Sequence, residues 1–320
     1  MQKDFWKNFK KPIMVLAPMS GVTDEACRLM FLKYGKPDVF FTEFISADAL
    51  FSKKAEKYCL GVLKHSLKEK PIVAQIFGGK ALEIEKAVKV IAKLGFDGVD
   101  INMGCPDRDV EKQNAGSALI KNPALAKEII QAAKKGTNGK IPVSVKTRIG
   151  YDKNEITEWL SIILKENISA LTVHFRTRNE GYAGEAHWEA AEEIVKLKNK
   201  ISPETLLIGN GDIKNLKQAK DLVEKYSLDG AMVGRGAIGN PWFFAEKEPY
   251  VLERLNAIIE HAEILKGFSE IHFESIKKHF HAYTRGFEGS RQLRESLMKV
   301  KNAAETKKVV EEFIKANKIK

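Results

Sequence analysis

The chain has 320 residues, 44% hydrophobic and 30% charged, with 53 Lys and Arg against 42 Asp and Glu for a formal net charge of +11. This composition excludes a disordered tail protein and leaves room for one large core with chain to spare, or for two ordinary domains. No stretch approaches the roughly 20 apolar residues of a membrane-spanning helix, and the start, with Lys3, Lys7, Lys10 and Lys11, lacks the apolar run and cleavage site of an export signal.

Short β-branched or apolar runs recur along the chain at 13–18, 39–45, 72–77, 98–104, 142–149, 170–176, 206–212 and 230–236. Their spacing of about thirty residues is that of a β-α unit. Helix-period segments lie between them: Ile84, Ala87, Val88, Ile91 and Leu94 share one face, and Leu216, Ala219, Leu222, Val223 and Tyr226 repeat the pattern. Strands alternating with amphipathic helices pair in parallel, and eight units predict a (β/α)8 TIM barrel rather than an open doubly wound sheet. After Asn240-Pro241-Trp242 the alternation stops. A small α-helical domain is expected over 246–320, following a barrel over 1–245, with Ile276, Phe280, Tyr283 and Phe287 as one apolar stripe.

The basic excess is concentrated at the end of the chain. Residues 275–320 carry twelve Lys or Arg against five Glu, whereas 246–274 carry three against seven. A polyanion partner is therefore among the expectations.

In an eight-fold barrel the chemistry sits at the C-terminal strand ends, which here are polar and glycine-rich. Gly234-Arg235-Gly236-Ala237-Ile238-Gly239 matches a dinucleotide fingerprint in the wrong place, since no further strand follows it. Together with Asn210-Gly211-Asp212 it instead forms the last two βα loops, the usual phosphate site of this fold; taken singly, each is ordinary turn chemistry. Lys146, among β-branched residues, must point into the barrel mouth, as a cation for an anionic ring or phosphate or as the partner of Asp100 or Glu43. His174, followed by Arg176 and Arg178, tilts toward ligand binding. Metal binding is not expected, because His279 and His281 lack carboxylate spacing and no His-Glu-x-x-His occurs. The three cysteines are far apart without a Cys-x-x-Cys pair, which argues against a disulfide framework and for a reducing cytoplasm. Cys27 and Cys59 fall on expected helices and read as small buried hydrophobes. Cys105, between Gly104 and Pro106 on a βα loop, should face the mouth as a thiol proton donor or, with a base such as His174, as a nucleophile.

Taken in order, the strand-end segments resemble the tRNA-dihydrouridine synthase family, most closely its bacterial B-type branch. The segments are Ala17-Pro18-Met19 with Gly21-Val22-Thr23-Asp24, Gln75-Ile76-Phe77-Gly78, Asp100 to Pro106, Ala115-Gly116-Ser117-Ala118-Leu119, Val145-Lys146-Thr147-Arg148, His174 with Arg176-Thr177-Arg178, Asn210-Gly211-Asp212 and Gly234-Arg235-Gly236. The resemblance spans about residues 12–245; beyond it only Gly286-Phe287-Glu288-Gly289 and the Arg291 to Arg294 spacing match. It implies FMN as cofactor, NADPH as reductant and tRNA as substrate. Pro18, Met19 and Ser20 would contact FMN, Gln75, Lys146 and His174 would lie near its ring, and Asn210, Gly211, Asp212, Gly234 and Arg235 would hold its phosphate. Cys105 would protonate C5 of uracil after hydride transfer to C6, and Asn102 would orient the base. A flipped uridine needs its backbone held, for which Lys277, Lys278, Arg285, Arg291, Arg294, Lys299 and Lys301 are candidates, with Arg176 and Arg178 nearer the site. Phe175 departs from the family, standing where many relatives carry a small residue. A monomer is expected. The rivals are a dihydroorotate or dihydropyrimidine dehydrogenase, which resembles the same barrels but needs no basic tail, and a non-catalytic RNA-binding barrel.

Overall fold

The computed structural model describes residues 4–268 and 270–319; Lys3 and Lys320, two of the counted cations, lie outside the described residues. Among the described residues nine parallel strands occupy eight barrel positions: β1 (Ile13–Leu16), β2 (Phe40–Phe41), β3 (Ile45–Ser46), β4 (Ile72–Phe77), β5 (Gly98–Met103), β6 (Val143–Arg148), β7 (Ala170–His174), β8 (Leu206–Asn210) and β9 (Gly230–Val233). Their order is β1-β9-β8-β7-β6-β5-β4-β2, and a bridge from Val15 to Val39 joins the two ends. The TIM barrel expected from the eight runs is thus the architecture found.

One run is not a single strand. The segment expected as a strand over 39–45 splits into β2 and β3, both paired with β4. The Thr42 hydroxyl accepts the Gln75 N–H at 3.2 Å, and the Glu43 carboxylate turns to accept the Gly21 N–H. The Thr42 side-chain oxygen therefore takes a bond that an unbroken ladder would have made through the backbone, while Glu43 turns to the loop after β1.

Alternation along each strand separates two layers. Ile72, Ala74, Ile76, Val99, Ile101, Val145, Leu171, Val173 and Leu207 face outward into the helix-covered core. Inward, Trp6, Val15, Phe41, Val73, Ala170, Leu206 and Ile208 fill the barrel floor. One register step higher the inward positions turn polar, which builds the mouth: Asn102 lies beside Lys146, Arg148 beside His174, and His174 beside Asn210.

Helices α1 (Glu25–Tyr34), α2 (Glu56–Val62), α3 (Ala81–Ile91), α4 (Arg108–Glu111), α5 (Pro123–Thr137), α6 (Ile156–Lys165), α7 (Ala190–Ile201) and α8 (Leu216–Lys225) accompany the strands. Their starts follow local chemistry: the side chains of Asp24, Asn122 and Asn215 accept backbone N–H groups of α1, α5 and α8. Cys27 on α1 and Cys59 on α2 are buried.

Four more helices close the chain: α9 (Val251–Leu265), α10 (Lys277–Tyr283), α11 (Ser290–Leu297) and α12 (Ala303–Ala316). Leu255, Ile258, Ile276, Phe280, Tyr283, Leu297 and Val310 form a second core that continues into Trp242 and into Ala26 and Met30 of α1. The expected stripe is not one helix, because α10 ends at Tyr283 and Gly286, at φ +77°, turns the chain. Phe287 still packs against the same core.

Candidate active site

Cys105 sits half-buried on the loop after β5, and the loop is held from three sides. The Asn102 carboxamide oxygen accepts the N–H groups of Gly104 (3.1 Å) and Cys105 (2.9 Å). Arg148, buried at the end of β6, donates through Nε to the Gly104 carbonyl at 2.8 Å and through Nη1 to those of Thr177 and Gly181. Ser117 donates its backbone N–H to the Cys105 carbonyl at 3.0 Å, and its hydroxyl has that carbonyl at 2.7 Å and Glu111, which pairs with Arg178, at 3.0 Å as alternative acceptors for its one hydrogen. Gly116, at φ +60°, leaves no room for a side chain, since a Cβ there would lie 2.7 Å from the Cys105 carbonyl oxygen. Burial pushes the Cys105 thiol up, so it stays protonated at neutral pH despite Lys146 and Arg148 nearby.

Behind the loop runs a directed chain of hydrogen bonds. Asn102 donates to Gln75 Oε1 (3.1 Å), Gln75 donates to Asp100 Oδ2 (2.8 Å), and Ser144 donates to Asp100 Oδ1 (2.6 Å). Gln75 and Asp100 are fully buried, and burial raises Asp100 to about 6. Asn102 thus spends its oxygen and one amide hydrogen on the Cys105 loop and Gln75.

Two mouth residues stand ready for a ligand. Lys146 makes no ion pair among the described residues, so the expected alternative of a bond to Asp100 or Glu43 does not hold, and burial together with Arg148 lowers it to about 8. His174 is buried and has an Nδ1 without a hydrogen-bond partner among the described residues. Burial, reinforced by Arg148, Lys146, Arg176 and Arg235, holds its ring neutral. No hydrogen bond joins it to Cys105 among the described residues, which leaves the nucleophile reading without its base. Phe175 alternates outward and packs edge-on to Trp188, so this departure from the family stays out of the mouth.

At the last two strand ends, Gly211 takes φ +139° and the Asn210 amide donates to the Met232 carbonyl at 2.7 Å. Asp212 accepts from Arg176, Arg235 and the Ala186 N–H. Burial alone would raise its carboxyl, but the two guanidinium groups hold it below the usual carboxylate range. Asp212 thus holds the Arg235 guanidinium in place, and Arg235 keeps 53% of its side chain exposed under the ring of Tyr182. Arg176, expected at the RNA, is instead 1% exposed, spent on Asp212 and the carbonyls of Ala183 and Gly184. A Cβ on Gly234 would stand in ordinary contact with Met19 Sδ at 3.6 Å and Ala17 Cβ at 3.8 Å, so the loop after β1 borders this strand end. Pro18 is buried, Met19 half-buried and Ser20 exposed on the loop after β1. The unpartnered Nδ1 of His174, the unpaired Lys146 and the exposed Arg235 fit a group with an electron-rich ring and a phosphate, as a flavin mononucleotide has.

A cavity of about 1280 Å³ lies beside the mouth, between the Arg235 loop and the helical region. Tyr182, Lys214, Arg235, Tyr250, Arg254 and Arg285 line it, and Cys105 does not. Of the expected RNA contacts, Arg285, Arg291, Lys299 and Lys301 are exposed and Arg294 half-buried, with Arg291 paired to Glu295. Lys277 is mostly covered and pairs with Glu274, while Lys278 turns toward the barrel loop, 3.4 Å from the Ser20 carbonyl. Arg178 sits at the rim, bound to Glu111. Arg148, Tyr182, Glu111 and Ser117 were not singled out from the sequence. Among the described residues no group of three or more His, Cys, Asp or Glu is placed to hold a metal, and no helix is long and apolar enough to cross a membrane.

Similar solved structures include a variant of NCR from Zymomonas mobilis (TM-score 0.50, 17% identity, 74% of this chain and 87% of that one) and histamine dehydrogenase from Rhizobium sp. 4-9 (0.52, 13%, 78% and 48%). They share the fold. Similar curated sequences include "Probable tRNA-dihydrouridine synthase 2" of Bacillus subtilis strain 168, 41% identical over 98% of this chain and 97% of the relative. "Probable tRNA-dihydrouridine synthase" of Staphylococcus aureus strain MRSA252 is 40% identical over 98% and 96%. The family model described as dihydrouridine synthase (Dus) matches residues 15–318, reaching through the helical region well beyond the 12–245 that the motifs cover. The chain belongs to the dihydrouridine synthase family.

Proposed function

We propose that the chain is a tRNA-dihydrouridine synthase, reducing the C5–C6 bond of uridines in tRNA, with FMN as its flavin and NADPH as reductant. Residues 1–245 form the catalytic domain in this reading and 246–320 the RNA-binding domain. The observation that carries it is Cys105: its thiol stays protonated with Lys146 and Arg148 nearby, its loop backbone is pinned by Asn102, Arg148 and Ser117, and the same strand ends carry the unpartnered histidine nitrogen.

When bound, FMN supplies hydride to C6 of the uracil ring, with NADPH as the source of its electrons. Cys105 supplies the proton at C5, and its fixed loop saves the orientational cost of bringing an acid to that carbon. Lys146 offers positive charge to an electron-rich ring, His174 a neutral nitrogen, and Arg235, aimed by Asp212, a guanidinium to the phosphate. Asn102 keeps one amide hydrogen for the base. Arg178, Arg285, Arg291, Arg294, Lys299 and Lys301 supply positive charge for the backbone of a tRNA whose uridine has left its stack. The reading places the enzyme in the cytoplasm as a monomer.

The test is anaerobic. The bound flavin is reduced with NADPH and its reoxidation followed on adding unmodified tRNA, fully modified tRNA or orotate. Reoxidation by unmodified tRNA alone is expected, and in Cys105→Ala it is lost while tRNA binding remains. Reoxidation by orotate instead, or unchanged turnover in Cys105→Ala, refutes the assignment.

A further inference from the structure

We infer that α10 is a cofactor-positioning element: His279 and Lys278 fasten the loop bearing Pro18, Met19 and Ser20 to the loop bearing Gly234 and Arg235, so that the helical region shapes the flavin site. The inference rests on the flavin reading of those two loops.

His279 is 2% exposed on α10 and lies between two barrel loops. Its Nε2 is 3.0 Å from the Val22 carbonyl, and its Nδ1 is 3.1 Å from the Gly239 N–H. A backbone N–H only donates and a carbonyl only accepts, so the ring carries its single hydrogen on Nε2 and accepts through Nδ1. It is a rigid spacer of fixed tautomer. Gly239 shows how close the approach is: at φ +61°, a Cβ there would lie 2.5 Å from the His279 carbonyl oxygen and 2.7 Å from Ala282 Cβ.

The loop after β1 is gripped at nearly every residue. Ser20 offers its carbonyl to Lys278 Nζ at 3.4 Å, Gly21 gives its N–H to Glu43, Val22 meets His279, and Asp24 accepts the Ser275 hydroxyl at 3.0 Å. Three of these four partners come from the helical region. Lys278 Nζ also fills the space over Gly21, 2.7 Å from where a Cβ would stand. Docking alone does not need these bonds, because the apolar core through Trp242, Ala26 and Met30 already joins the helical region to the barrel. The polar bonds go instead to residues beside Met19 and Ser20, and to a glycine four positions beyond Arg235. They set the distance between the two ends of the proposed flavin site.

The experiment titrates FMN and riboflavin into apo-protein by flavin fluorescence quenching, for the unmodified chain, Lys278→Met, His279→Leu and His279→Gln, with melting curves of each apo-protein. Lys278→Met keeps the parental melting temperature and binds FMN about threefold more weakly. His279→Leu binds FMN at least about tenfold more weakly, with a smaller loss for riboflavin, which has no phosphate for the Arg235 loop to grip. His279→Gln regains part of the loss by donating again to Val22. Unchanged FMN affinity in Lys278→Met and in folded His279→Leu overturns the inference, as does a His279→Leu loss equal for the two flavins. If His279→Leu does not fold, Lys278→Met decides. Failure of the unmodified chain to take up flavin overturns the inference and the cofactor reading together, whereas normal uptake with indifferent variants overturns the inference alone.

Discussion

Replacing Asn102 tests how the acid is held. In Asn102→Ala the N–H groups of Gly104 and Cys105 lose their shared acceptor and Gln75 Oε1 loses its donor, in a site where Gln75 is fully buried. A buried polar group left unpaired costs about 1–3 kcal/mol, and water entering the vacated space offsets part of it, so about 3–5 kcal/mol of stability should go. The Cys105 loop should also shift, and a displacement of about 1 Å costs on the order of 100-fold in the proton-transfer step. Asn102→Asp separates the two effects. Its carboxylate still accepts both N–H groups but sets an oxygen against Gln75 Oε1, and Gln75 turns its amide only if Asp100 becomes a proton donor. Asp100 already sits at about 6, and the new charge pushes it higher. A carboxyl whose folded pKa exceeds its unfolded value contributes stability that is full below the unfolded pKa and lost as pH rises through the folded one. Asn102→Asp should therefore be closest to the parent in acid and fall behind above about pH 6. Urea melts across pH give the stability, and single-turnover reoxidation of reduced flavin by tRNA gives the chemistry. Parental stability within about 0.5 kcal/mol and parental single-turnover rates in Asn102→Ala would refute the argument.

Lys146, lowered to about 8 mainly by burial, should make FMN affinity flat below about pH 8 and let it fall by up to about tenfold per unit above it, because the bound anion keeps the lysine charged. Apo-protein stability should move the other way, rising from about pH 8 to pH 10.4, since the unfolded lysine there holds a proton the folded one has released; flat profiles in titrations and melts contradict this. Gly116→Ala, which brings a Cβ to 2.7 Å from the Cys105 carbonyl oxygen at φ +60°, should cost about 1–3 kcal/mol and slow tRNA-dependent reoxidation while NADPH still reduces the flavin. A variant with parental melting and turnover would show that the loop is not sterically fixed there.

The periodicity of the apolar runs made the barrel legible, and strand alternation then made the mouth legible, since Gln75, Lys146, His174 and Asn210 are among the inward polar positions near strand ends. The same alternation places Phe175 outside, given His174 inside. Charge was less readable. Arg176 and Arg178 stand two residues apart with the same side chain, yet one is sealed under Asp212 and the other sits at the rim on Glu111. Lys278 belongs by sequence to a basic tail, but the docking of α10 brings its ammonium group to Ser20 across 258 positions. Arg148 was visible only as part of a motif, because its carbonyl partners lie 29 to 44 residues away and composition says nothing about them. The break in the second strand had a local cause in Thr42 and Glu43, whose partners Gln75 and Gly21 emerge only from the barrel's closure.

The seam between β1 and β9 bears on how the chain is made. Ile13 pairs with Gly230 and Leu16 with Val233, so the first strand has no lasting neighbour on that side until more than two hundred further residues have left the ribosome. The apolar face of α1, with Ala26 and Met30, waits longer still, for α9 to α12. During synthesis the earliest segments are thus the last to be covered, and the nascent barrel presents open strand edges for most of its elongation. The face that α1 offers is therefore complete as a core only once the last helix of the chain has been made.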